Sequence, residues 1–121
     1  MFKLNDELNE AISRIKPAMV ATADKEGRPN VSPKGSLRVL DEQHLIFADL
    51  LSPQTINNLK ENPHIAMIGL DPATRKGWRI WGKVDEIATS GDLYDQISKE
   101  YAGKGKVNHI VKILVEKSSL F

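Results

Sequence analysis

Apolar residues recur at three- and four-residue steps at the start of the chain, where Leu4, Leu8, Ile12 and Ile15 fall on one face of a helix. That helix begins near Asn5 or Asp6 and ends before Pro17. The pattern then turns strand-like. "AMVATAD" (18–24) reads as a strand, "DKEG" (24–27) as a tight turn with Gly27 free to take positive φ, and "PNVSPKGSLRVLD" (29–41) as a second strand interrupted at Ser32-Pro33-Lys34-Gly35. "HLIFAD" (44–49) follows as a third strand.

"SPQTINNLKENP" predicts a short helix over 53–61, with Ser52 as N-cap, Pro53 in the first turn and Pro63 as terminator. "HIAMIGLD" (64–71) and "WRIWGKVDEIA" (78–88) are strands joined by the turn-rich "DPATRKG". Ser90 is positioned to cap a third helix over "GDLYDQISKEY" that ends at Gly103. "VNHIVKILVEK" (107–117) is the last strand, trailed by "SSLF". Short connections imply antiparallel pairing, so the fold class expected is mainly β (α+β). About six strands and three short helices, in one domain over 1–121, would close readily into an antiparallel barrel.

Composition narrows function mainly by exclusion. With 17 Lys and Arg against 16 Asp and Glu, the net charge is +1, which argues against a general nucleic-acid binder. The absence of cysteine removes thiolate chemistry and Cys-ligated metal, and His44, His64 and His109 lack metal-site spacing, so no metal is expected. No apolar run approaches the roughly 20 residues of a membrane span. "MFKLNDELNEAISRIK" carries acids through its apolar pattern, unlike a signal peptide, and the chain is expected to be cytoplasmic without a membrane partner.

The glycines of "GKGK" (103–106) lack the spacing of a phosphate loop and read as a helix stop and solvated turn. No serine stands in a nucleophile elbow, and no side chain is nominated as a catalytic acid, base or nucleophile. Two places suit a phosphate. At Ser32-Pro33-Lys34-Gly35 a strand break would free backbone N–H groups beside a hydroxyl, a cation and a glycine that admits close approach. At Ser52 a helix start offers free N–H groups, with Gln54 and Thr55 adding side-chain donors. Each also has a purely structural reading, as a bulge at a barrel corner and as a well-formed helix start.

Trp78 and Trp81 are an odd number of residues apart and therefore face opposite sides of a strand. Trp78 shares its side with Ile80, while Trp81 lies on the charged side between Arg79 and Lys83, as an interface or a ligand wall would require. The basic and aromatic interleaving of "RKGWRIWGK" (75–83) also fits a single-strand nucleic-acid-binding barrel, an alternative that the near-neutral charge disfavours.

From "AMVATADKEGRPNVSPKGSLRVLDEQHLIFAD" through "NNLKENPHIAMIGLD" to "WRIWGKV", the order of these features resembles the pyridoxamine 5′-phosphate oxidase-like superfamily of FMN-binding split β-barrels. The resemblance implies a six- to seven-stranded antiparallel split β-barrel with about three short helices, forming a homodimer that holds FMN at the subunit interface, with deazaflavin as the cofactor of a sister branch. It implies that Ser32, Pro33, Lys34, Gly35 and Ser36, together with Gln54 and Thr55, bind the phosphate and ribityl chain. Ala48 and Asp49 would lie beside the flavin ring with Asn58 nearby, and Arg79 and Trp81 would reach the cofactor or the dimer seam. The Ser-Arg-Lys helix start of true pyridoxamine phosphate oxidases is matched here by Pro53, Gln54 and Thr55, which argues against vitamin B6 oxidation. A small FMN-dependent oxidoreductase of flavin reductase or electron-transfer type is implied instead, with a nicotinamide or protein electron donor; a non-catalytic flavin carrier is the simpler variant.

Overall fold

A computed structural model describes residues 2–121. Helix α1 (Asp6–Arg14) is followed by strands β1 (Ala18–Ala23), β2 (Pro29–Lys34), β3 (Arg38–Val39) and β4 (His44–Asp49). Helix α2 (Pro53–Glu61), β5 (His64–Asp71), β6 (Lys76–Ala88), α3 (Asp92–Glu100) and β7 (His109–Leu120) complete the chain. The seven strands form one antiparallel sheet in the order β2-β1-β5-β6-β7-β4-β3, curled into a half-barrel.

The curl has a local cause. The β6–β7 ladder slips between Trp81 and Gly82 and again between Val84 and Glu86, and such bulges bend and twist a long strand pair. A side chain at Gly82 would reach within 2.6 Å of the Leu114 carbonyl, so glycine is needed where the slip brings the backbones together.

Inside the curl lies the main core. Val20, Leu45, Phe47, Met67, Trp78, Ile80 and Ile113 pack from the sheet against Leu8 and Ile12 of α1 and Ile56 and Leu59 of α2. Asn5 caps α1 by accepting the Leu8 N–H at 2.9 Å. Fully buried Trp78 donates its indole N–H to the Ile15 carbonyl at 3.3 Å, tying the end of α1 to β6. A smaller core of Ile46, Ala48, Val107 and Ile110 lies beneath Ile97 of α3.

Three expectations need correction. β2 continues through Lys34, pairing Ser32 with Val20 and Lys34 with Ala18, so the interruption lies at Gly35 to Leu37. Proline is tolerated at position 33 because β2 is an edge strand. Helix α3 starts at Asp92 with Gly91 (φ 104°) at the N-cap position, so Ser90 does not cap it. The tail is not free: β7 runs to Leu120, pairing Leu120 with Trp78, and Phe121 exchanges backbone hydrogen bonds with Gly77.

Candidate functional site

The pleat of β2 builds the first wall of the site. Asn30, Ser32 and Lys34 pair with Thr22, Val20 and Ala18, so all three side chains turn to the concave side, where α2 covers this edge of the sheet. The Thr55 hydroxyl meets the Ser32 hydroxyl at 3.1 Å and Asn30 Nδ2 at 3.5 Å, fixing β2 against the start of α2. Asn58, 1% exposed, uses its amide internally: it accepts from Gln54 at 2.8 Å and donates to Thr22 at 3.1 Å.

Asp49 organises the second wall. Only 2% exposed, it accepts the Ser52 N–H at 2.8 Å, the Ser52 hydroxyl, and His109 Nδ1 at 2.7 Å. Burial pushes its carboxyl pKa up, but the bonds from Ser52 and His109 outweigh that and hold it below the ordinary carboxylate range. Ser52, turned to Asp49, makes no side-chain cap on α2. The first helical backbone bond runs from the Ile56 N–H to the Ser52 carbonyl at 3.2 Å, so the N–H groups of Gln54 and Thr55 have no backbone partner among the described residues.

Lys34 completes the cluster. Its ammonium donates to the Ser52 hydroxyl at 2.6 Å and lies 5.7 Å from the centre of the Phe47 ring. Burial lowers its pKa, an effect that Asp49 partly opposes. Gly35 follows with ordinary φ and open space where a side chain would begin. Ser36 bridges to β4, accepting the Ala48 N–H at 3.0 Å and donating to the Ala48 carbonyl at 3.2 Å.

A cleft of about 430 Å³ opens over this arrangement, bounded by Pro33, Lys34, Gly35, Ser36, Ala48, Leu50, Leu51 and Tyr101. A second cleft of about 280 Å³ adjoins it across Gly35, Ser36, Ala48 and Tyr101. The sequence-derived residues of β2, β4 and α2 thus converge. Arg79 and Trp81 stand apart on the convex face of β6, lining neither cleft. There the Arg79 guanidinium stacks 5.9 Å from the Trp81 ring and 5.3 Å from the Phe121 ring, and Lys117 lies over Trp81 at 4.8 Å. With Trp78 buried, "RKGWRIWGK" presents a single tryptophan between two cations, not a row of stacking rings.

Sequence reasoning missed Asn30, His109 and Tyr101. Asn30 was legible as the next inward position of an uninterrupted β2. His109 had no local signal, because 60 residues separate it from Asp49.

An antiparallel half-barrel of seven strands with three helices defines a split-barrel protein. The chain belongs to the pyridoxamine 5′-phosphate oxidase family, whose model matches residues 4–117. An uncharacterized protein of Methanocaldococcus jannaschii is 33% identical over 118 residues, covering 92% of this chain and 77% of that protein. Among solved structures, HupZ of Group A Streptococcus is 31% identical with a TM-score of 0.87, covering 98% of this chain and 94% of its own. An FMN-binding protein of Syntrophomonas wolfei shares the fold at 16% identity and a TM-score of 0.86, with coverages of 95% and 84%. The fold also serves other cofactors: the heme storage protein HutZ of Vibrio cholerae superposes at 20% identity and a TM-score of 0.67, covering 100% of this chain and 94% of its own.

Proposed function

We propose that this protein binds FMN, one per chain in a homodimer, and works as a small flavin-dependent redox protein of flavin reductase or electron-transfer type. One observation carries the reading. A buried cation and an open-faced glycine line one cleft, and that cation is hydrogen-bonded to Ser52 at the uncapped start of α2.

Each part suits a phosphate monoester. The N–H groups of Gln54 and Thr55 and the positive end of the α2 dipole favour an anion, by about 0.3–1 kcal/mol in the first turn of a helix. Lys34 would turn from the Ser52 hydroxyl to a phosphate oxygen, exchanging a neutral acceptor for a charged one. Asp49 and His109 hold Ser52 away from the helix end and so keep its first turn open. Gly35 lets the ligand approach the backbone, and Leu50, Leu51 and Tyr101 provide apolar walls for the remainder.

When bound, FMN supplies reversible electron transfer at its ring, and the chain supplies binding, orientation and charge. A nicotinamide or a protein is the proposed donor. Support for the homodimer comes from the convex sheet face, where Val31, Ala21, Ala66 and Trp81 form one cross-strand row and Pro33, Met19 and Ile68 begin the next. Val31 is 59% and Met19 39% exposed, an apolar strip that a second copy would cover. Arg79 and Trp81 lie at the β6 end of that strip, where they would reach the dimer seam.

Titration of the purified chain with FMN should give a yellow protein saturating at one flavin per chain, with a raised melting temperature. Anaerobic NADH or NADPH should then bleach the flavin band. Uptake without bleaching or turnover would leave the carrier variant, or one reduced by a protein donor. Uptake of hemin in place of FMN, or no uptake, would refute the proposal.

A further inference from the structure

The adjoining cleft has a charge pattern that phosphate binding does not use. Its floor is apolar, made by Phe47, Ile46 and Ile110 with Ile97 of α3, while its titratable rim carries Lys16, Arg38 and Lys104 against a single acid, Glu100. Arg38 and Glu100, 62 residues apart in sequence, join β3 to the last turn of α3 as a two-pronged pair at 2.8 and 3.0 Å. Lys16 donates to the main-chain carbonyls of Leu37 at 2.6 Å and Gly35 at 3.5 Å. Neither Lys16 nor Lys104 has a carboxylate partner among the described residues.

We propose that this cleft seats a planar ligand bearing a carboxylate, with Arg38 as its anchor and Glu100 as a tethered stand-in for the ligand's carboxylate. The guanidinium fork already grips a carboxylate in the two-bond geometry that a ligand would reproduce. Both side chains of the pair are 43% exposed, and such exposed pairs contribute little, so an incoming acid displaces Glu100 at small cost. Burial and the nearby Arg38 guanidinium push the Lys16 pKa down, and a second anion beside them relieves that crowding. The floor takes the flat apolar body, at a volume of about 280 Å³ suited to one ring system. The anion seat stands on these charges; its role as the seat of the redox substrate rests on the flavin reading above.

Benzoate and its neutral isostere benzamide are suitable probes, titrated into the full chain at constant ionic strength and followed by NMR. Benzoate should bind at least about tenfold more tightly than benzamide, given the strength of charge-assisted bonds. Arg38→Gln should weaken benzoate about tenfold, with Arg38→Lys falling between. Glu100→Gln should strengthen it roughly two- to fivefold by freeing the fork. Glu100 lies in the last turn of a helix, where an acid is unfavourable, so its replacement leaves folding intact even if Arg38→Gln is unstable.

Equal binding of the two probes, no binding, or weakening of benzoate by Glu100→Gln would overturn the anion seat. In FMN-loaded protein, retained benzoate binding supports a substrate seat, and its loss overturns that role because the ring then fills the cleft. If FMN does not bind while the benzoate responses hold, the flavin reading falls and the anion seat stands.

Discussion

Replacing Lys34 with methionine should separate binding from stability. The residue is 9% exposed, donates 2.6 Å to Ser52, and has no carboxylate at ion-pair distance among the described residues. Burial lowers its folded pKa below the ordinary lysine value. The sign follows from linkage: at neutral pH, where the folded and unfolded chains both carry the charge, the protein bears a destabilising cost that is relieved as pH rises through the folded pKa. Methionine removes that cost and keeps most of the packing against Phe47. The lost cation–ring contact, worth about 0.5–1 kcal/mol, works in the opposite direction. Ser52 keeps its bonds to Asp49. The two effects oppose each other, so Lys34→Met should change unfolding free energy by less than about 1 kcal/mol at pH 7, the upper end of the cation–ring contact.

FMN binding has no such compensation. A charge-assisted bond to phosphate is worth about 1.5–3 kcal/mol, so affinity should fall roughly 10- to 150-fold. Quenching of FMN fluorescence measures the first quantity and urea unfolding the second. Affinity within twofold of wild type would remove Lys34 from the phosphate site. Weakened binding accompanied by a stability loss above about 2 kcal/mol would make Lys34 a structural residue whose removal damages the cleft, a size typical of broken buried networks.

Four other substitutions test neighbouring parts of the molecule. Asp49→Asn should cost about 1–3 kcal/mol at pH 7 by misplacing an amide among the donors of Ser52 and His109. Because the folded carboxyl is held below its ordinary value, that stability is present above the carboxylate range and is lost as pH falls through the folded pKa, so the urea midpoints of wild type and variant should converge below about pH 4. Gly77→Ala would drive a methyl into the Gly69 carbonyl oxygen, a backbone atom of the paired strand β5, and should lose at least about 1–3 kcal/mol, whereas Gly35→Ala meets no atom within 4 Å and should keep its melting temperature while binding FMN more weakly. Val31→Asp on the convex strip should leave circular dichroism unchanged and shift sedimentation from dimer to monomer; a dimer that persists would place the interface elsewhere.

Much of the fold was legible because its punctuation is local. Pro53 and Pro63 bracket α2, Leu8 and Ile12 lie on one buried face of α1 with Leu4 and Ile15 buried just beyond its ends, and the 44–49 run matches β4 to the residue. Positions set by distant pairing were not legible. Ser32-Pro33-Lys34 contains a proline and a cation that mark a break in a central strand, but at a sheet edge they extend the ladder, and edge position depends on the order of all the strands. "SSLF" looks like a tail beyond the last strand until β6 proves long enough to pair with it. The site was legible in part. Lys34, Gly35, Gln54 and Thr55 have groups suited to a phosphate in their own side chains and backbone, whereas the pairings of Asp49 with His109 and of Arg38 with Glu100 exist only when chain segments about 60 residues apart are brought together.

The central claim is that the start of α2 and the end of β2 form a phosphate clamp for a flavin. Calorimetric titration of the chain with FMN and with riboflavin, which differ only in the phosphate, tests it most directly. The account predicts one FMN per chain and riboflavin binding weaker by about 100-fold, the equivalent of two charge-assisted contacts at the low end of their range. Equal affinity for the two flavins, or binding of neither, would contradict it.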